Sequence, residues 1–236
     1  MGLQRYLAMT AAEFSSGAPF PENPAWMACH FSSYGLGLSN LPTSLPEGSM
    51  VIVNDRTPPQ GHDPVLIAEQ LRRLQQELNV SRFLLDFQRP NDPETKELAS
   101  VLIFQLDGPV AVTEEYAKDL QCPVFVSAPP PHKDLAAHLA PWSGREIWLE
   151  SALETERAVV TQKGCQFAVL ADATLDEPIF TDHTLHCRYH TQISDKQAVF
   201  TMQRREDELF SLLEEAQTLG VALTVGLYQQ LAGIFS

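Results

Sequence analysis

Met50-Val51-Ile52-Val53-Asn54-Asp55, then Asp63-Pro64, then Phe83-Leu84-Leu85-Asp86-Phe87: the reading of this stretch decides the fold. Its first and last runs are short and almost continuously apolar, which suits strands covered on both faces, as in a parallel sheet. Between them the period changes. Asp63 reads as a helix cap with proline at the first helical position, and Leu66, Ile67, Leu71, Leu74 and Leu78 then mark one apolar stripe. Arg72, Arg73, Gln76 and Glu77 fall on the opposite, solvent-facing side. The spacing therefore predicts a strand, a surface helix and a second strand.

The same alternation extends outward. Before it lies an apolar run at 26–31; after it come runs at 110–113, 124–127, 146–150, 166–170 and 221–225. Helical patterns separate several of these: one opened by Asp92-Pro93, a turn at 114–120, a short helix at 135–139, and an amphipathic helix at 205–219 stopped by Gly220. Eight strand candidates joined in this way predict a single domain over 1–236, a compact (β/α)8 TIM-like barrel. A doubly wound open sheet is the alternative, because the fourth and fifth candidates start so close together. Residues 1–24 read as a short helix from the capping box of Thr10 and Glu13, followed by an extended segment with Pro19, Pro21 and Pro24. Alternation over 185–202 around Ser194-Asp195-Lys196 predicts a β-hairpin inserted after strand seven.

Charge narrows the function. The 236 residues carry 30 acidic and 16 basic side chains, a formal charge of −14. Such a surface disfavours nucleic-acid backbones and anionic membranes, so neither is an expected partner. No apolar run approaches the roughly 18 residues that span a bilayer, and Met1-Gly2-Leu3-Gln4-Arg5-Tyr6 does not read as a secretion signal. Cys29, Cys122, Cys165 and Cys187 are widely spaced beside apolar runs, which predicts buried, reduced thiols and a cytoplasmic protein. His186 and His190 are four apart on a strand pattern, a separation of about 13 Å that does not suit one metal. No metal site and no cofactor is expected.

In a barrel of this kind chemistry gathers at the C-terminal strand ends. The candidates there are His30 and Tyr34 after the first run and Asp55 and Arg56 after the second. Asp86, Gln88 and Arg89 follow the third, Glu114 and Glu115 the fourth, and Ser127 the fifth. Glu150, Asp172 and Tyr228 end the last three. Asp86 stands out, because a carboxylate in an otherwise apolar run needs partners. Trp26 and Trp148 sit inside strand patterns and read as core, whereas Trp142, between Pro141 and Ser143-Gly144, reads as a ligand platform.

The segment Leu84-Leu85-Asp86-Phe87-Gln88-Arg89-Pro90 resembles the fourth-strand motif of family 18 glycoside hydrolases, the chitinase-like barrels. That motif reads Asp-x-Asp-x-Glu with a trailing aromatic-Pro. Asp86 matches its second aspartate, Gln88 its catalytic glutamate and Pro90 its proline, while Leu84 replaces the first aspartate. Phe31-Ser32-Ser33-Tyr34-Gly35 is similar to the family's first-strand ending. The resemblance implies a glycosidase-like barrel whose cleft takes a small or oligosaccharide ligand. At Gln88 the implied acid is missing, since an amide has no proton to give at neutral pH. Either sugar is bound and not cut, or another carboxylate pair acts; Glu114 or Glu115 with Glu150 is the candidate, alongside Asp86. Two other readings remain: a non-catalytic interaction barrel with an Asp86–Arg89 ion pair, or an enzyme on a small polar metabolite held by Asp55, Arg56, Asp86 and Arg89. Oligomeric state is not legible.

Overall fold

The computed structural model describes residues 2–90, 92–171 and 173–235. In chain order the strands are β1 (Gln4–Met9), β2 (Pro24–Phe31), β3 (Leu38–Ser39), β4 (Met50–Asn54), β5 (Arg82–Asp86), β6 (Val110–Thr113) and β7 (Val124–Val126). They continue as β8 (Ile147–Ser151), β9 (Glu154–Thr161), β10 (Gly164–Val169), β11 (Phe180–Asp182), β12 (Cys187–Ile193), β13 (Gln197–Arg204) and β14 (Leu223–Leu227). The helices are α1 (Ala11–Ser15), α2 (Pro64–Leu78), α3 (Pro93–Gln105), α4 (Glu114–Ala117), α5 (Leu135–Leu139), α6 (Glu206–Thr218) and α7 (Tyr228–Leu231). Residues 3–127, 144–150 and 222–235 form one compact unit, and residues 128–143 and 151–221 a second.

The larger unit is a closed parallel barrel. Around it run β1, β2, β4, β5, β6, β7, β8 and β14, and β14 pairs back onto β1. Alternate residues fill the interior: Tyr6 and Ala8, Ala25, Met50 and Ile52, Leu84, Ala111, Phe125, Trp148, and Leu223 with Val225 make one buried cluster. The intervening set, including Val51, Val53, Phe83, Leu85 and Val112, is equally buried on the outer face, where the helices lie. That double burial explains the nearly unbroken apolar spelling of these strands. Helix α2 begins with Asp63 accepting the Val65 N–H and buries Ile67, Ala68, Leu71 and Leu74. Helix α3 begins with Asp92 accepting the Thr95 N–H and buries Leu98, Ala99 and Leu102.

Two strand assignments are corrected. The first barrel strand is β1, inside the segment expected to hold only a helix and an extended stretch; α1 does form behind its Thr10–Glu13 capping box, but after this strand. The polar Gln4 and Arg5 mask it in the sequence, and only closure between β14 and β2 buries Tyr6 to Met9. Conversely, the run at 166–170 is no barrel strand. Its residues 166–169 lie in β10, exposed throughout, at the edge of an antiparallel sheet in the smaller unit. The exchange moves the Asp86 run from third barrel strand to fourth.

The smaller unit's sheet has the order β10-β9-β13-β12-β11. The chain does reverse at Ser194, whose N–H donates to the Gln197 carbonyl at 2.9 Å. The resulting pair, β12 and β13, is however two strands of five and not a lone hairpin. One face of this sheet packs Ala158, Cys187 and Met202 with Leu185, Tyr189 and Phe200. All four cysteines are unpaired; Cys29 and Cys187 are buried, but Cys165 is exposed and Cys122 half-buried, so burial holds for two of the four thiols. No helix among the described residues is long and apolar enough to cross a membrane.

Candidate functional site

Strand periodicity selects which side chains reach the barrel mouth. Asn54 stands two residues beyond inward-facing Ile52, Asp86 two beyond Leu84, and Glu150 two beyond Trp148. All three therefore share the interior register at the C-terminal ends. Pairing adds His30: it lies opposite Asn54, and Asn54 lies opposite Asp86, so three polar side chains form one rung across β2, β4 and β5. A register shift between Trp26 and Cys29 is what turns His30 into that rung.

Asp86 is half-buried and its carboxyl is pushed above the usual carboxylate range. Burial is the main cause; the Gln88 side chain opposes it by donating a hydrogen bond, and the Asp55 carboxylate adds to the rise. The Gln88 Nε2 donates to Asp86 Oδ1 at 2.5 Å.

Asp55 has a different task. It is buried at 4% exposure, and its two carboxylate oxygens accept the backbone N–H groups of Gln88 at 3.0 Å and Arg89 at 2.7 Å. The Arg89 Nε donates to the Asp55 carbonyl at 2.8 Å and its Nη2 to the Arg56 carbonyl at 3.2 Å. The turn after β5 is thus tied to the turn after β4, and Gln88 is held where it can meet Asp86. The expected Asp86–Arg89 ion pair does not form among the described residues: Arg89 satisfies backbone carbonyls, while Gln88 occupies Asp86. Beneath the turn, Thr113 Oγ1 donates to the Phe87 carbonyl at 2.7 Å, and the Phe87 ring contacts Phe31 and Tyr116.

The remaining candidates separate. Glu114 faces the next strand end, accepting from Ser127 N at 3.2 Å and Ser127 Oγ at 2.9 Å. Glu115 is exposed and ion-paired with Lys118 at 2.6 Å along α4. The Tyr228 hydroxyl donates to the Pro19 carbonyl at 3.1 Å, joining the start of α7 to the loop after α1. Tyr34 is 85% exposed on the loop after β2. His30 Nδ1 lies 3.0 Å from the Ala28 carbonyl, which fixes that nitrogen as the donor in the neutral ring. Trp142 corrects its expectation: in the smaller unit it is buried at 8% exposure behind the turn that follows α5, so its faces are not open to a ligand. Trp26 and Trp148 are core, as their strand patterns indicate. Asp172 lies outside the described residues. Sequence reasoning passed over Asn54, although counting two residues on from Ile52 would have found it.

Among the described residues no group of three or more His, Cys, Asp or Glu side chains is placed to hold a metal ion. The rung of His30, Asn54 and Asp86, with Gln88 beside it, offers hydrogen-bond donors and acceptors at the C-terminal strand ends. That is chemistry for orienting a polar ligand.

The fold is a TIM barrel similar to those of chitinases and chitinase-like proteins. Among solved structures it is similar to a family 18 N-acetylglucosaminidase from Paenibacillus barengoltzii, at TM-score 0.61 and 10% identity over 95% of this chain and 94% of that one. It is similar also to a family 18 chitinase from Cycas revoluta, solved in complex with (GlcNAc)4, at TM-score 0.60 and 10% identity over 98% and 97%. A chitinase-like agglutinin from Robinia pseudoacacia matches at TM-score 0.55 and 10% identity over 94% and 93%. At this identity the likeness is one of fold. No family model matches the chain, and no curated protein does.

Proposed function

We propose that the barrel is a carbohydrate-binding protein that takes a chito-oligosaccharide at the C-terminal strand ends without cleaving it by the acid-catalysed route of family 18. One observation carries this reading. Just past the fourth barrel strand, at the position where the motif resembled by 84–90 has its proton donor, stands the amide of Gln88, hydrogen-bonded to Asp86 and positioned through Asp55. Glycoside cleavage needs a carboxylic acid that protonates the leaving oxygen as charge develops on the ring. An amide can hydrogen-bond that oxygen but cannot protonate it. Binding survives such a replacement and acid catalysis does not.

The neighbours support the ligand class: one is a chitinase solved with (GlcNAc)4, another a chitinase-like agglutinin. Asp86 supports the site, since a desolvated carboxylate facing a barrel mouth is costly unless a partner group is brought to it. Calorimetric titration with (GlcNAc)4, with chromatography of the same sample afterwards, tests the reading. Saturable binding with intact tetramer is the expected result. No heat at millimolar ligand, or clean conversion to shorter sugars, would overturn it.

A further inference from the structure

We propose that the smaller unit carries a binding pocket of its own, for a neutral, polyhydroxylated ring of monosaccharide size. Its floor is the face of the antiparallel sheet opposite the Met202 side. Arg157 on β9 and His190 on β12 both lie opposite Thr201 on β13, so the three form one rung. Val159, Val199 and Gln192 form the next. Neighbouring strands are about 4.8 Å apart, which puts the outer members of a rung about 10 Å apart, a span suited to one ring. The roof is the segment around Leu175, tied down at Ala173, whose carbonyl accepts from the Gln203 amide and from Arg205 Nη2. The cavity between measures about 320 Å³, at the small end for ligand pockets.

The chemistry of the lining selects the ligand. His190 is only 8% exposed. Its Nδ1 lies 3.3 Å from the Pro178 carbonyl, which can only accept, so in the neutral imidazole Nδ1 carries the proton and Nε2 a lone pair. His190 lines the cavity, and its Nε2 is buried with no partner among the described residues. It calls for a donor such as a hydroxyl. Arg157 supplies donors and Asp176 acceptors to the same cavity, and neither forms an ion pair among the described residues. One cation and one anion together match a neutral ligand with hydroxyls on several edges. Between them Val159 and Val199 offer an apolar strip for the C–H face of a ring.

The pocket does not depend on the reading of the barrel mouth, and one experiment separates them. The full chain, labelled with 15N, is titrated with glucose, N-acetylglucosamine, myo-inositol and glucuronate and followed by NMR. At least one neutral ring is expected to saturate shifts of β9, β12 and β13, and Arg157→Ala and His190→Leu are each expected to weaken it about tenfold. Arg157 is exposed, so its variant keeps the test valid should His190→Leu fail to fold. Gln88→Ala is expected to leave this binding in place while weakening (GlcNAc)4 at the mouth. The proposal falls if no neutral ring binds in the millimolar range, if the Arg157 variant binds as the parent does, or if glucuronate is preferred tenfold over glucose.

Discussion

From the turn just beyond the fourth barrel strand, the Gln88 amide donates to the carboxylate of Asp86, the last residue of that strand, at 2.5 Å. The pair joins an acid that burial drives toward its protonated form to a group that cannot itself act as an acid. Both facts lead to measurable consequences.

Gln88→Glu places two carboxyl groups where an amide now bridges. Like charges this close do not both ionise at neutral pH, so one proton is retained and becomes available to a leaving group. Release of a fluorescent aglycone from a chitobioside, absent in the parent, is expected to appear. It should fall by about 10²–10⁴-fold when Asp86→Asn is added. A silent Gln88→Glu variant that still binds sugar would separate the motif's spelling from its chemistry.

Asp86 also sets a pH signature on stability. Its folded-state pKa is raised, by burial first and by Asp55 next, against the lowering hydrogen bond from Gln88. The folded state therefore holds the proton more tightly than the unfolded chain. That contribution is fully present below the ordinary aspartate value and is lost as pH rises through the raised one. Asp86→Asn, which keeps an acceptor for Gln88, should remove the dependence. Melting temperatures of parent and variant should converge at low pH, separate as pH rises from the ordinary aspartate value through the raised one, and stay apart by a constant amount above it, with the variant the more stable.

Asp55 has a structural consequence. Its removal in Asp55→Ala leaves the backbone N–H groups of Gln88 and Arg89 without their acceptor. Loss of two charge-assisted bonds at a buried site should cost about 3 kcal/mol in urea denaturation. (GlcNAc)4 affinity is expected to fall with it, because the turn that presents Gln88 is no longer held.

In the smaller unit Arg204 is 1% exposed, with Nη1 donating to the Pro129 carbonyl at 2.7 Å and lying 3.4 Å from Glu154 Oε2. Burial lowers its pKa, and the Glu154 carboxylate counters that. Glu154→Gln should destabilise the fold by about 2 kcal/mol, since it leaves a buried cation short of its counter-charge. Adding Arg204→Met, which is apolar and of similar length, should recover part of the loss in the same denaturation assay.

Much of this was legible in one dimension. The βαβ alternation, the caps at Thr10, Asp63 and Asp92, and the polar ends at Asp55, Asp86 and Glu150 all follow from local spelling. Three-and-four spacing marks a helix stripe and unbroken apolar runs mark doubly covered strands, because each records only the faces an element must bury. The same locality sets the limit. Gln166-Phe167-Ala168-Val169-Leu170 spells a barrel strand yet lies in an exposed edge, and Gln4–Met9 spells nothing clear yet opens the barrel.

Pairing between distant segments made those decisions. Closure of β1 onto both β2 and β14 counts Asp86 onto the fourth strand, and the register of β2, β4 and β5 lines up His30, Asn54 and Asp86. Which acid is spent on backbone N–H groups and which faces the mouth was settled at the same level: Asp55 meets residues 33 and 34 positions away, a contact no window of sequence contains. Periodicity is the physics of neighbours along the chain; the site belongs to neighbours across the sheet.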